Sequence, residues 1–132
     1  MSDAPIRVVV ADDQEIVRTG LRMILDAQPG IAVVAEASDG HDAIDKARRL
    51  RPDVCLLDIR MPGMDGLELA QALRRYAVPP SVVFVTAHDD RAVDAYEVGA
   101  VDYLLKPVRT DRLAVPVESG LSTHTLPARP PE

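Results

Sequence analysis

The chain has 132 residues, of which 47% are hydrophobic and only 3% aromatic, and a formal charge of −6 at pH 7. That length gives one domain with room for a proper core, which must be aliphatic, and the acidic balance argues against direct nucleic-acid binding because no basic patch dominates. The single cysteine, Cys55, excludes a disulfide within the chain; no signal peptide precedes the first strand and no apolar run approaches a membrane span, so the expected location is the cytoplasm.

Ile6 to Ala11 is nearly all apolar and β-branched, as suits a central strand covered on both faces. Asp12 and Asp13 end it. From Glu15 to about Ala27, Val17, Leu21, Ile24 and Leu25 recur at helical spacing, and Pro29-Gly30 stops the helix. Ile31 to Ala37 is more weakly apolar and reads as an edge strand; Asp39-Gly40 then turns the chain. Ala43, Ile44, Ala47 and Leu50 mark a second helix closed by Arg51-Pro52, and Asp53 to Leu57 a third strand. Asp58 follows at once. Pro62 and Gly63 enforce a loop, Asp65 can cap the next helix, and Leu67, Ala70 and Leu73 mark that helix, which ends before Pro79-Pro80. Ser81 to Thr86 is a fourth strand. Asp89 or Asp90 can cap a short fourth helix carrying Ala92, Ala95 and Tyr96, ended by Gly99. Val101 to Leu105 is a fifth strand, before Lys106-Pro107, and Thr110 can cap a fifth helix. From about Ser119 the chain is rich in Ser, Thr and Pro and lacks periodicity, which reads as a linker or loose tail; the domain is therefore taken as 1–118 and the tail as 119–132.

Five alternations of strand and helix predict an α/β fold: a parallel sheet with right-handed crossovers and helices on both faces. In such a sheet, chemistry gathers outside the carboxyl ends of the strands. Four strands end in residues suited to it: Asp12-Asp13, Asp58, Thr86 and Lys106-Pro107. Singly, each has a structural reading: Asp13 as a helix cap, Asp58 as a strand end, Thr86 as a hydroxyl bonded to its own backbone, Lys106 as a solvated cation. Together they suit phosphoryl transfer to a carboxylate. Three neighbouring acids repel one another, which a hard divalent cation relieves; Mg²⁺ takes oxygen ligands and often bridges to phosphoryl groups. Asp58 can attack as nucleophile to give an acyl phosphate, while the Lys106 ammonium and Thr86 hydroxyl orient the phosphoryl oxygens.

This set, together with the segments Leu57-Asp58-Ile59-Arg60-Met61-Pro62-Gly63-Met64-Asp65-Gly66 and Gly99-Ala100-Val101-Asp102-Tyr103-Leu104-Leu105-Lys106-Pro107, resembles the receiver domain of two-component response regulators from about Ile6 to Leu113. The resemblance implies a doubly wound (βα)5 flavodoxin-like domain with strand order 2-1-3-4-5. It also implies that Asp58 accepts phosphate from a phosphohistidine on a sensor histidine kinase. Asp13, Asp58 and the backbone carbonyl of Arg60 would bind Mg²⁺ directly, with Asp12 acting through metal-bound water. Thr86 and Lys106 would contact the phosphoryl group, the Lys106-Pro107 bond would be cis, and Tyr103 would be the switch aromatic that turns inward as Thr86 moves. Arg60 and His88, each two residues beyond a site residue, would tune acyl-phosphate lifetime. The first half looks most like receivers with a helix-turn-helix output, and Pro80 to Arg112 more like those with a LytTR-type output, so DNA would be reached only through an output domain outside this chain. The family's homodimer face, formed by the fourth helix, fifth strand and fifth helix, is where this sequence departs: Pro116 falls inside the fifth helix.

The sequence argues against two other functions. A receiver-fold dimerisation module working without phosphorylation is disfavoured by the complete acid, Thr and Lys set. A carboxylate-nucleophile hydrolase would place a second Asp two residues beyond the nucleophile, where Arg60 stands. The chain is thus expected to be a signalling phosphoacceptor, not an enzyme beyond its own phosphorylation and dephosphorylation. His41, His88 and His124 lack metal-ligand spacing. Arg48, Arg49 and Arg51 close a helix, where cations suit the macrodipole.

Overall fold

The computed structural model describes residues 4–87, 92–97 and 99–106. Over them the chain runs β1 (Ile6–Ala11), α1 (Glu15–Asp26), β2 (Ile31–Ala37), α2 (Gly40–Leu50), β3 (Val54–Leu57), α3 (Gly66–Leu73), β4 (Ser81–Thr86), α4 (Ala92–Glu97) and β5 (Asp102–Leu105). The strands form one parallel sheet in the order β2-β1-β3-β4-β5, as expected. Asp89 and Asp90 as caps, His88, the Lys106-Pro107 bond, the fifth helix with Pro116, and the tail from Ser119 lie outside the described residues. Among the described residues no helix is long and apolar enough to cross a membrane.

The period-two alternation of the strands divides the core in two. Val9, Ala11, Cys55, Leu57, Val82 and Phe84 face the layer of α2 and α3, while Val8, Val10, Val54, Leu56, Val83 and Val85 face α1 through Leu21 and Leu25. Burial on both faces explains why β1, β3 and β4 read as unbroken apolar runs. At about 1.5–3 kcal/mol for each fully buried Val, Leu or Phe side chain, these two layers supply the main drive to fold. β2 is the edge strand anticipated from its weaker hydrophobicity. Its register against β1 shifts between Val8 and Val9, an irregularity the alternation gives no hint of.

The helix ends add detail to the sequence reading. Asp39-Gly40 is not a free turn: Asp39 is the N-cap of α2, its carboxylate accepting from the Asp42 amide at 2.8 Å, and Gly40 is the first helical residue. A further cation meets the carboxyl end of α2: the Arg7 guanidinium donates to the carbonyls of Leu50 and Arg51 at 2.5 and 3.2 Å. Arg48 and Arg49 lie in the last turn of α2, as expected, and also pair with Asp45 on the helix surface, while Arg51 is the C-cap at φ 49°. Asp65 caps α3 as expected, accepting from the Glu68 amide at 2.9 Å. That helix ends at Leu73, where Arg75 and Tyr76 bond three residues back in a tightened last turn.

Candidate functional site

Parallel strands with helices between them bring every strand's carboxyl end to the same edge, and the strand-end residues meet there. Asp12 and Asp13 leave β1, Asp58 leaves β3 directly beside them with its amide on the Ala11 carbonyl at 2.9 Å, Thr86 closes β4, and Lys106 follows β5 with its amide on the Thr86 carbonyl at 2.9 Å. Asp12, Asp13 and Asp58 each offer a carboxylate oxygen, all within 4.8 Å of one another. Asp12 and Asp58 are buried, at 1% and 6% exposure, and Thr86 is fully covered, whereas Asp13 faces solvent.

The close approach of α3 shapes the floor. The Gly66 amide donates to the Ile59 carbonyl at 2.7 Å, and a Cβ at Gly66 would overlap the backbone carbonyl of Asp58. The loop between β3 and α3 turns at Gly63 (φ 79°) and rests on the first turn of α2, where Gly40 faces the Met64 backbone. Asp58 is thus backed by the start of α3, and α2 in turn backs the loop between them, while the Asp58 carboxylate points toward Lys106.

Lys106 is not a solvated cation. Its side chain is only 14% exposed, and its ammonium lies 2.7 Å from Asp12 Oδ2 and 3.3 Å from Asp58 Oδ2, while also donating to Gln14 Oε1 at 3.3 Å. The Asp12 contact is a close ion pair with a buried carboxylate oxygen. Burial works against the Lys106 charge, but the contact with Asp12 and the charges of Asp58 and Asp12 outweigh it and raise the ammonium's pKa. Burial also raises the Asp58 carboxyl, and the Asp12 charge adds to this; Lys106 and the Thr86 hydroxyl, which hydrogen-bonds Asp58, offset only part.

Three acids against one ammonium leave the pocket short of positive charge. An oxygen-only donor set of three carboxylates within 4.8 Å of one another fits a hard divalent cation of the Mg²⁺ kind.

Asp13 is not the cap of α1. Gln14 takes that position without a side-chain cap bond, and its amide donates to Asp12 Oδ1 at 2.8 Å, so the buried acid ties down the loop. Arg60 is exposed in the loop after Asp58, and His88 lies outside the described residues. Tyr103 is half-buried on β5, paired in register with Phe84, with ring centroids 6.3 Å apart and planes at 52°. Two neighbours of the pocket escaped the sequence reading: Gln14, and Arg18, which donates to the Asp12 backbone carbonyl at 2.7 Å. Their only signal in the sequence is nearness to Asp12-Asp13.

The model of the response regulator receiver domain matches residues 8–118. The chain is 48% identical over 109 residues to an uncharacterized response regulatory protein of Yersinia pestis, covering 83% of this chain and 45% of that protein. It is 42% identical to the transcriptional regulatory protein LiaR of Bacillus subtilis, over 83% of this chain and 53% of LiaR. The chain thus spans about half the length of the curated relatives it matches. Among solved structures it resembles the signal receiver domain of the response regulator NarL from Mycobacterium tuberculosis, at TM-score 0.80 and 38% identity over 90% of this chain and 95% of that one.

Proposed function

Because the chain belongs to the response regulator receiver domain family, whose members are signalling proteins and not conventional enzymes, we propose that it is a phosphoacceptor switch charged at Asp58 by a sensor histidine kinase. The observation that carries this reading is the position of Asp58, buried at a strand end within contact of Lys106 and Thr86 and beside Asp12 and Asp13. In this reading the receiver unit spans 1–118.

A carboxylate oxygen of Asp58 attacks the phosphorus of a phosphohistidine. The new O–P bond forms as the P–N bond breaks, and the electron pair of that bond leaves with the imidazole, which takes up a proton. Lys106, already between Asp12 and Asp58, follows the incoming phosphoryl oxygens with its ammonium, and the Thr86 hydroxyl donates to another of them. Asp12, Asp13 and Asp58, with the backbone carbonyl of Arg60, would hold Mg²⁺, which when bound neutralises charge among the carboxylates and on phosphoryl oxygens. Movement of Thr86 toward the phosphoryl group vacates space beside β4, and Tyr103 turns toward it, carrying the signal to the outer face of β5. Arg60 and His88 set the lifetime of the acyl phosphate through their access to the attacking water. The relatives named as transcriptional regulators point to a DNA-binding output, reached through a separate domain.

Intact mass after incubation with acetyl phosphate and Mg²⁺ is the test. The wild-type chain gains one phosphoryl group and Asp58→Asn gains none; equal gain by both removes Asp58 from this role.

A further inference from the structure

Arg18 stands outside the acidic pocket, in the first half of α1, yet its side chain is only 15% exposed. One arm of the guanidinium, Nη1, donates to the Asp12 backbone carbonyl at 2.7 Å; the other side, Nε, lies 3.4 Å from Glu36 Oε1. Glu36 is itself gripped by Arg22 Nη1 at 2.8 Å, and its backbone carbonyl accepts from Lys46. Arg18 therefore braces the end of β1 against the end of β2.

The Asp12 carbonyl sits where the ordinary ladders stop. The Asp12 amide is used by the Ala37 carbonyl at 3.0 Å, and the Ala11 carbonyl by the Asp58 amide. The helix ladder begins only at the Gln14 carbonyl, which accepts from the Val17 and Arg18 amides at 3.1 Å each. Arg18 supplies the Asp12 carbonyl with a charge-assisted donor and so fixes the plane of the Asp12-Asp13 peptide from behind the pocket. This matters most for Asp13. Among the described residues no hydrogen bond or ion pair restrains its carboxylate, so the backbone that carries it is what keeps that group within reach of Asp12 and Asp58.

We propose that Arg18 is a positioning residue of the acidic pocket: by holding the Asp12-Asp13 peptide it presents the Asp13 carboxylate to a divalent cation together with Asp12 and Asp58. The inference rests on the cation-dependent phosphoacceptor reading above. A guanidinium suits the task because its rigid planar fork reaches two acceptors at once, whereas an ammonium is a single point of charge.

The test is Mn²⁺ titration, followed by electron paramagnetic resonance, of the wild-type chain and of Arg18→Met, Arg18→Lys and Arg22→Met, with thermal unfolding in chelator as the separate reading of stability. Arg18→Met is expected to weaken Mn²⁺ binding roughly tenfold, as for other groups that orient metal ligands. Arg18→Lys recovers most of that loss, since its ammonium still donates to the carbonyl. Arg22→Met removes the other cation on Glu36 and leaves the affinity unchanged. Should Arg18→Met not fold, Arg18→Gln, neutral and shorter, reads the same loss. Unchanged affinity in folded Arg18→Met or Arg18→Gln, or an equal loss in Arg22→Met, overturns the inference alone. Failure of the wild-type chain to bind Mn²⁺ overturns the phosphoacceptor reading and the inference with it.

Discussion

Gly66 packs against Asp58 so closely that a Cβ on the glycine would overlap the Asp58 carbonyl, and that carbonyl is backbone with no rotamer to escape into. The contact seats the start of α3 under the strand end that carries the site.

Two helical glycines therefore respond in opposite directions to the same substitution. Gly20 in α1 has nothing within 4 Å of the position a Cβ would take. Gly20→Ala gains helix propensity and should stabilise the protein by about 0.5–1 kcal/mol. Gly66→Ala should destabilise it by about 1–3 kcal/mol, the usual cost of overpacking, and slow phosphorylation because Asp58 is displaced. Denaturant unfolding of the two variants checks the signs; a neutral Gly66→Ala would show that α3 can slide away from β3.

The two acidic caps should act alike on stability and differently on the chemistry. Asp39 and Asp65 each accept a backbone amide three residues on, at 2.8 and 2.9 Å. Substituting either by Ala should cost about 1 kcal/mol. Asp39→Ala is expected to leave phosphorylation by acetyl phosphate at the wild-type rate. Asp65→Ala, on the helix that seats Asp58, should slow it as well. Unfolding midpoints beside phosphorylation rates separate the two.

The strands and the four chemistry-bearing ends are legible because a doubly wound sheet writes them as short apolar runs punctuated by Asp, Thr and Lys; the strand order is implied only by the family resemblance. Burial on both sides turns Val8, Val9 and Val10 into an unbroken signal, and the topology alone carries Asp12, Asp58, Thr86 and Lys106 to one edge. What was not legible depends on backbone meeting side chain. Nothing in the sequence says that Arg18 will find the Asp12 carbonyl, or that Arg7 in β1 will reach the end of α2. The capping reading of Asp13 failed for a related reason. Local sequence allows either acid to serve the start of α1, and only the tertiary position of Asp12, beside the Gln14 amide, decides between them. Lys106 likewise reads as a surface residue until β5 is set beside β4.

Crowding of like charge gives the pocket opposite responses with and without cation. Asp13, exposed beside the buried Asp12 and Asp58, contributes repulsion when no cation is present and an anionic ligand when one is. Asp13→Asn should raise the unfolding temperature in chelator while weakening Mg²⁺ affinity by roughly tenfold or more. Asp12→Asn should instead lower the unfolding temperature in chelator, since it strips the Lys106 ammonium of its 2.7 Å partner. Thermal melts in chelator and in excess Mg²⁺ check both; a lowered unfolding temperature for Asp13→Asn in chelator would show that repulsion does not govern the cation-free state.

Cys55 gives a pH dependence that is independent of the site. It lies on β3 inside the core at 1% exposure, and burial pushes its thiol pKa up to about 12 from an ordinary 9.0. Between those values the folded chain keeps the thiol proton and the unfolded chain releases it. The unfolded state then binds fewer protons, so stability falls as pH rises. The contribution is fully present below pH 9.0 and is lost as the pH climbs toward about 12. Its slope can reach about 1.4 kcal/mol per pH unit. Cys55→Ala lacks this term but leaves a small cavity, so it should be less stable than wild type at pH 8 and close the gap as pH rises to 10.5. Urea unfolding of the pair across that range measures the convergence. In the same experiment a thiol reagent at pH 8 should react with wild type only at the rate of unfolding; a gap that stays constant with pH, or rapid labelling of the folded chain, would show that the thiol is reached by water.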